Sequence, residues 1–537
     1  MSGDMTTGQG WSSAIVTAPF RFSPRSQRAA EIQWRSWGQA AFQEAIQLDK
    51  PIFLVISSSW CQWCHILDET TLSEPSIIAI LNHDYMPIRV DSDFRPDVSQ
   101  RYNQNGWPSV VLLSPEGEIL WGGVYVPPKQ MLYYLGHVRR YYSENHAEIA
   151  QQVRELRERR FTRQLGQALP RVGLRSLLED ERTMLMDLPK EAGAVLRDLY
   201  DEDYGGFKIH PHLKFPHPDA LELLLMLSKR GEPGGLEMVC YSLDQMYEGG
   251  LWDKEDAGFF RYSAASDWSM PHTEKMLDEN AALLRLLLLT AQEGRSHRWY
   301  DIAHRLLYYI NTTLWQPKTG IFSGSQSADE EYYEAGLSRA SWQAPPVDTT
   351  VYTSWNARMI SSYLLGARVL NDPSLDEKAL KALNWLCEYM VHPNGSMCHY
   401  AIHQHADLPG QLADQVWMTR ALLDAYDRHG QRIHLDMAIE LMHFACRELL
   451  DEQQGLFYDY PDNPAAEGRL ALREQPLIEN SLAAECLLRM AARSRRSNLR
   501  DTGLLVLAGC LEKYRRTGIQ GAVYACVIQQ AIENGWL

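Results

Sequence analysis

Residues 51–65, Pro51-Ile52-Phe53-Leu54-Val55-Ile56-Ser57-Ser58-Ser59-Trp60-Cys61-Gln62-Trp63-Cys64-His65, decide how the first part of the chain is read. The short apolar run from Phe53 to Ile56 predicts a central strand covered on both faces. Cys61 and Cys64, two residues apart, then stand where the strand gives way to a helix, the placement of a redox motif. A thiol at a helix start meets unpaired N–H groups and the positive end of the helix dipole, which favour its thiolate. Cys61 is therefore the expected nucleophile, and Cys64, one turn on, resolves the mixed disulfide. Pro108, in Gly106-Trp107-Pro108 just ahead of an apolar run, suits a cis peptide bond beside the cysteine pair. Three other readings compete. They are an inert buried pair, the Cys-x-x-Cys-His pattern of c-type haem attachment, which needs export, and a zinc site, which needs two further ligands.

Working outward, helix-like spacing from Ile32 to Ile46 precedes the central strand. After the cysteines come a helix near 75–82, a strand near 85–91, a turn-rich stretch from Asp93 to Gln104, strands at 109–113 and 119–125, and a helix at 129–142. That order is α/β. The expected division is a loose tail over 1–30, an α/β domain over 31–144, a charged linking helix over 145–175 and a helical domain over 176–537.

The helical part shows about twelve segments with a 3.6-residue period. Its interruptions repeat: Gly205-Gly206-Phe207, Gly258-Phe259, Gly320-Ile321-Phe322, Gly395-Ser396-Met397 and Gly455-Leu456-Phe457 each set a glycine before an apolar residue. Such recurrence marks repeated helix pairs. Six pairs predict an (α/α)6 toroid, with an open solenoid as the alternative.

Bulk properties narrow the function. A chain of 537 residues exceeds one hydrophobic core. A net charge of −16 argues against nonspecific nucleic-acid or anionic-membrane binding. The N-terminal residues lack the features of a secretory signal and no long apolar run appears, so the expectation is a cytoplasmic protein without a membrane span. The nine cysteines are odd in number and scattered, and do not suggest a disulfide framework.

The motifs WCQWCH, PIRVDSDFRPDV, GWPSVVLLSPEGEI and WGGVYVPP, then KFPHP, GGLWD with GFFRYS, PHTEKMLDENAALL, TSWNARMI and LFYDYPDN, run through nearly the whole chain. In these the chain resembles the bacterial YyaL and spermatogenesis-associated thioredoxin-domain family. The resemblance implies a thioredoxin-like domain fused to an (α/α)6 toroid similar to sugar 2-epimerases and some glycosidases. Two positions depart from general thioredoxins. Val55 stands where an acidic residue assists the second cysteine, and Trp63 replaces the usual proline between the cysteines.

In the helical part, His272, Glu274, Asp278 and Asn280 read as a cluster at a helix start. His272 and Glu274 suit acid/base chemistry, while helix capping explains the same residue types. His217, Trp355 and Asn356 suit a polar ligand such as a carbohydrate. Asp414 and Asp459 follow from their motifs, with loop hydrogen bonding as the alternative. His399, His403 and His405 look like a surface hairpin, and neither a metal nor another cofactor is expected. The leading expectation is a thiol-disulfide oxidoreductase working with a redox partner protein or small thiol. A carbohydrate-active toroid and a noncatalytic scaffold are the alternatives.

Overall fold

The computed structural model describes residues 20–167, 177–334, 339–494 and 496–537. Residues 1–19 of the expected tail, 168–175 of the expected linker and 176 at the start of the expected helical domain lie outside them. The chain divides into two compact units, one of residues 20–59, 63–149 and 466–469, the other of 60–62, 150–465 and 470–537.

In the first unit β1 (Ile52–Ser57) is buried along its whole length, as its continuous apolar run requires. It pairs in parallel with β2 (Met86–Asp91) and antiparallel with β3 (Ser109–Leu113). A hairpin joins β3 to β4 (Ile119–Gly123), giving the sheet order β2-β1-β3-β4. Helices α1 (Gln39–Leu48), α2 (Gln62–Glu69), α3 (Pro75–Asp84), α4 (Pro96–Tyr102) and α5 (Pro128–Glu144) complete the unit, and α6 (His146–Gln167) follows. Phe53, Val55, Leu67, Ile77, Leu81, Val110, Leu112 and Leu135 share its core.

Three expectations change. Residues 32–38 are not helical: Gly38 caps α1, and the Arg35 backbone bonds to the β2 edge at Pro87 and Arg89. The turn-rich stretch contains α4, started by Pro96 at its first turn. Residues 20–30, read as loose tail, are docked, with the Ser23 N–H donating to Asp68 at 3.0 Å and Ala29 buried.

The second unit alternates outer and inner helices. The outer ones are α7 (Glu179–Asp198), α9 (Gly235–Gly249), α11 (His297–Tyr309), α14 (Pro373–Tyr389), α16 (Arg432–Glu448) and α18 (Ser497–Thr517). The inner ones are α8 (Pro218–Lys229), α10 (Leu277–Gly294), α13 (Thr353–Val369), α15 (Leu412–His429), α17 (Leu477–Ser494) and α19 (Ala522–Glu533), and a single turn, α12 (Glu330–Tyr333), lies in one loop. Each inner helix packs on the next, and α19 packs back on α8. The ring is closed, which excludes the solenoid.

Its long loops precede the inner helices and explain the repeated glycines. Those at 205, 258, 320, 395 and 455 have φ between 63° and 89°, a region where a side chain is strained. The apolar residue that follows four of these turns, all but the one at Gly205, is pinned by the fourth residue of an inner helix. Asn280 accepts the Phe259 N–H at 2.9 Å and donates to Phe259 and Met276 carbonyls. Asn356 does the same to Phe322 and Tyr352, Gln415 to Met397 and Gln411, and Asn480 to Phe457 and Pro476. Asn480→Ala removes three hydrogen bonds, two of them buried, and orphans the Phe457 N–H. It is expected to cost about 2–4 kcal/mol, read as an earlier urea transition of the full chain.

Candidate functional site

Cys61 directly precedes α2, and Cys64 lies one turn inside it; both are buried, at 5% and 2% exposure. The loop between strand and helix is held by the His65 ring, whose Nε2 lies 2.9 Å from the Ser59 carbonyl oxygen. Burial pushes the His65 imidazole pKa down, favouring its neutral form. Trp63 is 41% exposed, with its ring 5.2 Å from Tyr125. The Trp107–Pro108 peptide is cis. Val55 faces Arg89 across the β1–β2 register, and the carboxylate for that cation comes from helix α2 instead. Arg89 donates to both oxygens of Asp68 at 2.8 and 2.9 Å, and both side chains are almost wholly buried.

The other seven cysteines present a different chemistry. Burial pushes Cys387, Cys398 and Cys510 up to about 12 and Cys446 up to about 11, and it also raises Cys240, Cys486 and Cys526. Near neutral pH these remain thiols, poor nucleophiles.

In the toroid the N-terminal ends of the inner helices form the mouth. His272 and Glu274 are not at a helix start: His272 belongs to the strand Pro271–His272, paired with Tyr262–Ser263, and α10 begins only at Leu277. Phe215, Tyr262 and His272 stack in sequence, with centroids 4.7 and 4.2 Å apart. Burial pushes the His272 pKa down and takes His217 down to about 4, so both rings are neutral at pH 7. Arg261 stands between Glu274 at 3.5 Å and Glu279 at 3.4 Å. Burial, reinforced by Asp278 and Glu274, pushes the Glu279 carboxyl up to about 8 against the pull of Arg261. Burial also raises Asp278.

Lys275 locks this hairpin from below. Its ammonium donates to Asp253 and the Ala257 carbonyl, both at 2.7 Å, and lies 4.5 Å from the Tyr309 ring centroid. Burial takes Lys275 down to about 8. Asp253, although buried, is held below the usual carboxylate range by Lys275 and Arg339.

Asp414 accepts from the Ser354 N–H at 3.1 Å, and its second oxygen pairs with the His399 Nδ1 at 2.8 Å. His399 is therefore buried in a His–Asp pair, not a surface residue, although it lies in the hairpin of strands Cys398–Ile402 and His405–Pro409. Trp355 is half-buried against Tyr352, with centroids 4.3 Å apart. Asp459 accepts the Glu474 N–H at 3.0 Å, a loop role. Asn280 and Asn356, expected in the cavity, are corrected to the pins described above, with every amide group spent on backbone. Among the described residues no His, Cys, Asp and Glu group is arranged to hold a metal.

The residues missed are Arg261, Glu279 and Glu479, while His399 was read as a surface hairpin residue. A signal for two of them was present. Glu279, Trp355, Asp414 and Glu479 each occupy the third position of an inner helix, directly before a pin. Burial raises Glu479 as it does Glu279, with Asp459 adding to it.

Residues 23–160 match the family described as Thioredox_DsbH, "Protein of unknown function, DUF255". Human spermatogenesis-associated protein 20 is 25% identical over 91% of this chain and 77% of its own length. The rat protein of that name is 32% identical over 56% of this chain and 39% of its own. Among solved structures, cellobiose 2-epimerase from Bacillus thermoamylovorans has a TM-score of 0.51 at 12% identity, covering 63% of this chain and 88% of that one. A D-mannose isomerase has a TM-score of 0.51 at 11% identity, covering 62% and 87%. At such identities the likeness is one of fold. No helix among the described residues is long and apolar enough to cross a membrane. A thioredoxin-like segment, a closed six-hairpin toroid and an alignment along most of both chains make this protein similar to spermatogenesis-associated protein 20.

Proposed function

We propose that the protein is a thiol-disulfide oxidoreductase. The observation that carries this is Cys61 at the start of α2 with Cys64 one turn on, in a chain whose seven other cysteines have raised pKa values or lie at half-buried helix positions. In the proposed cycle the Cys61 thiolate attacks a substrate disulfide, one substrate sulfur leaves as thiolate and takes a proton, and a mixed disulfide forms. Cys64 then attacks the Cys61 sulfur, releasing the second substrate thiol. Two electrons have passed to the substrate, and an external dithiol returns the Cys61–Cys64 disulfide to the reduced form. Redox partners and small thiols are the proposed reactants. The test is the pH dependence of Cys61 alkylation together with dithiol-driven insulin reduction. A thiol titrating like free cysteine, with no turnover, overturns the proposal.

A second reading is favoured by one observation, the Glu279 carboxyl raised to about 8 in the mouth. A protonated carboxyl at neutral pH is equipped to act as general acid on a sugar. His399, oriented by Asp414, supplies imidazole chemistry in the same ring of helix ends. Titration with monosaccharides and disaccharides tests it, cellobiose and mannose included because the similar toroids are named for them. Binding that persists unchanged in Glu279→Gln and His399→Ala rejects this reading.

The pH sign follows from the raised pKa. Between about 4.5 and 8 the folded state holds a proton on Glu279 that the unfolded chain has released, so this group's contribution weakens as pH rises through that window. Glu279→Gln is expected to melt about 2–4 °C above the native chain at pH 9 and with it at pH 4.5. Thermal scans at the two pH values measure the difference.

A further inference from the structure

We propose that the toroid carries a second ligand site at the end of its ring opposite the mouth, built for a phosphoryl group bearing one proton. A cavity of about 230 Å³ opens there among Arg285, Arg420, Arg489, Arg493, Asp424 and Glu485. These residues lie at the ninth or later positions of their inner helices, whereas the mouth carboxyls lie at the second and third. At about 1.5 Å per residue the two sites are separated by at least about 9 Å along the helices.

Most of the wall's charges are already spent. Asp424 takes Arg489 at 2.6 Å, and Glu485 Oε1 is shared by Arg420 at 3.4 Å and Arg489 at 3.3 Å. Glu222 takes Nε and Nη2 of Arg285, and Asp427 takes Arg493. Among the described residues, the groups left without a partner are mostly donors: Arg285 Nη1, both terminal nitrogens of Arg420, and the Gln530 amide. Arg420 is steadied by the ion pair of its Nε with Glu485 at 3.4 Å and by Trp417, whose ring centroid lies 5.3 Å away. That leaves its outer edge as a fork of the kind that grips an oxyanion with two parallel bonds.

One acceptor is also unspent. Glu485 Oε2 is buried without a partner, on a side chain only 3% exposed. Leaving such an oxygen empty is costly, so the fitting ligand brings a hydrogen to it. Hydrogen phosphate, or the monoanion of a phosphate ester, does both: its oxyanion oxygens accept from Arg285 and Arg420 while its P–OH donates to Glu485. Sulfate has the same shape and no proton to give at neutral pH.

The test is calorimetric titration of the full chain at pH 6.5 with inorganic phosphate, sulfate and glucose 6-phosphate at matched ionic strength. Saturable phosphate binding is expected, with sulfate weaker by about tenfold or more. Arg420→Gln is expected to weaken phosphate by at least about tenfold. Because Arg420 sits in a buried network, Gln530→Glu is the second variant, placing a repelling carboxylate on the wall. Tighter binding of glucose 6-phosphate than of phosphate identifies an ester as occupant, and weaker binding identifies the free anion. The proposal is overturned if phosphate shows no saturable binding, if sulfate binds equally well, or if folded Arg420→Gln and Gln530→Glu both bind phosphate like the native chain.

Discussion

Cys61→Ser is expected to lower dithiol-dependent disulfide reduction by more than about a thousandfold, because the attacking thiolate is gone and no other cysteine replaces it. The seven thiols outside the pair are a poor reserve: burial raises them, they stay protonated near pH 7, and most are buried. Cys64→Ser is expected to behave differently. It retains the first attack and stalls at the mixed disulfide, so incubation with a small disulfide adds one mass adduct at Cys61 that excess dithiol removes. Mass spectrometry of both variants against one disulfide distinguishes these outcomes. An adduct on Cys61→Ser would place the chemistry on another sulfur. Val55→Asp is a gentler probe of the same machinery, but the strand around it is fully buried and Arg89 already has its carboxylate.

Asp253→Ala is expected to be the most destabilising single change in the toroid, by about 3–5 kcal/mol. Asp253 and Lys275 are both fully buried, and the same carboxylate holds Arg339 at 2.8 Å. Without it an ammonium enclosed by Tyr309, Phe260 and Tyr333 loses its counter-charge. Asp253→Leu combined with Lys275→Met is expected to recover most of the loss, since the cost lies in the orphaned charge rather than in the pair itself. A pH signature accompanies this. With Lys275 held down at about 8 in the fold and near 10.5 when unfolded, the unfolded chain binds the extra proton between those values. Stability from this group therefore rises with pH across that window, and Lys275→Met removes the slope. Chemical denaturation from pH 7.5 to 10.5 measures both effects. A native slope of opposite sign would contradict the assignment.

Much of the architecture was legible because it depends on local rules. The apolar run at Phe53–Ile56, the cysteine pair and the repeated glycines each state a backbone requirement within a few residues. Eleven of the twelve amphipathic segments agree closely with ring helices, the first beginning at Glu179 rather than near 190, since a helix that buries one face writes that face into its period. The failures occurred where partners are distant in the chain. Residues 20–30 look loose by composition, yet Asp68 and Glu69 tie Ser23 in place. His399 looks exposed in a turn between helices, yet Asp414 meets it 15 residues later. Asn280 and Asn356 look like ligand-binding amides, and three-dimensional pairing spends them on backbone.

From the sequence by itself came the strand before the cysteine pair, the six helix pairs with toroid and solenoid as alternatives, and the expectation that Cys61, Cys64 and Pro108 form one motif, because strand burial and turn glycines are encoded by neighbours. Only the tertiary structure decided which carboxyls remain unspent. Glu279 is raised by burial and by Asp278 and Glu274 beside it, while Asp253 is held down by Lys275 and Arg339, though all are plain acids in the sequence. The reason is physical: a carboxyl's protonation depends on lost solvent and on charges a few ångströms away, and those are set by helices brought together from distant parts of the chain.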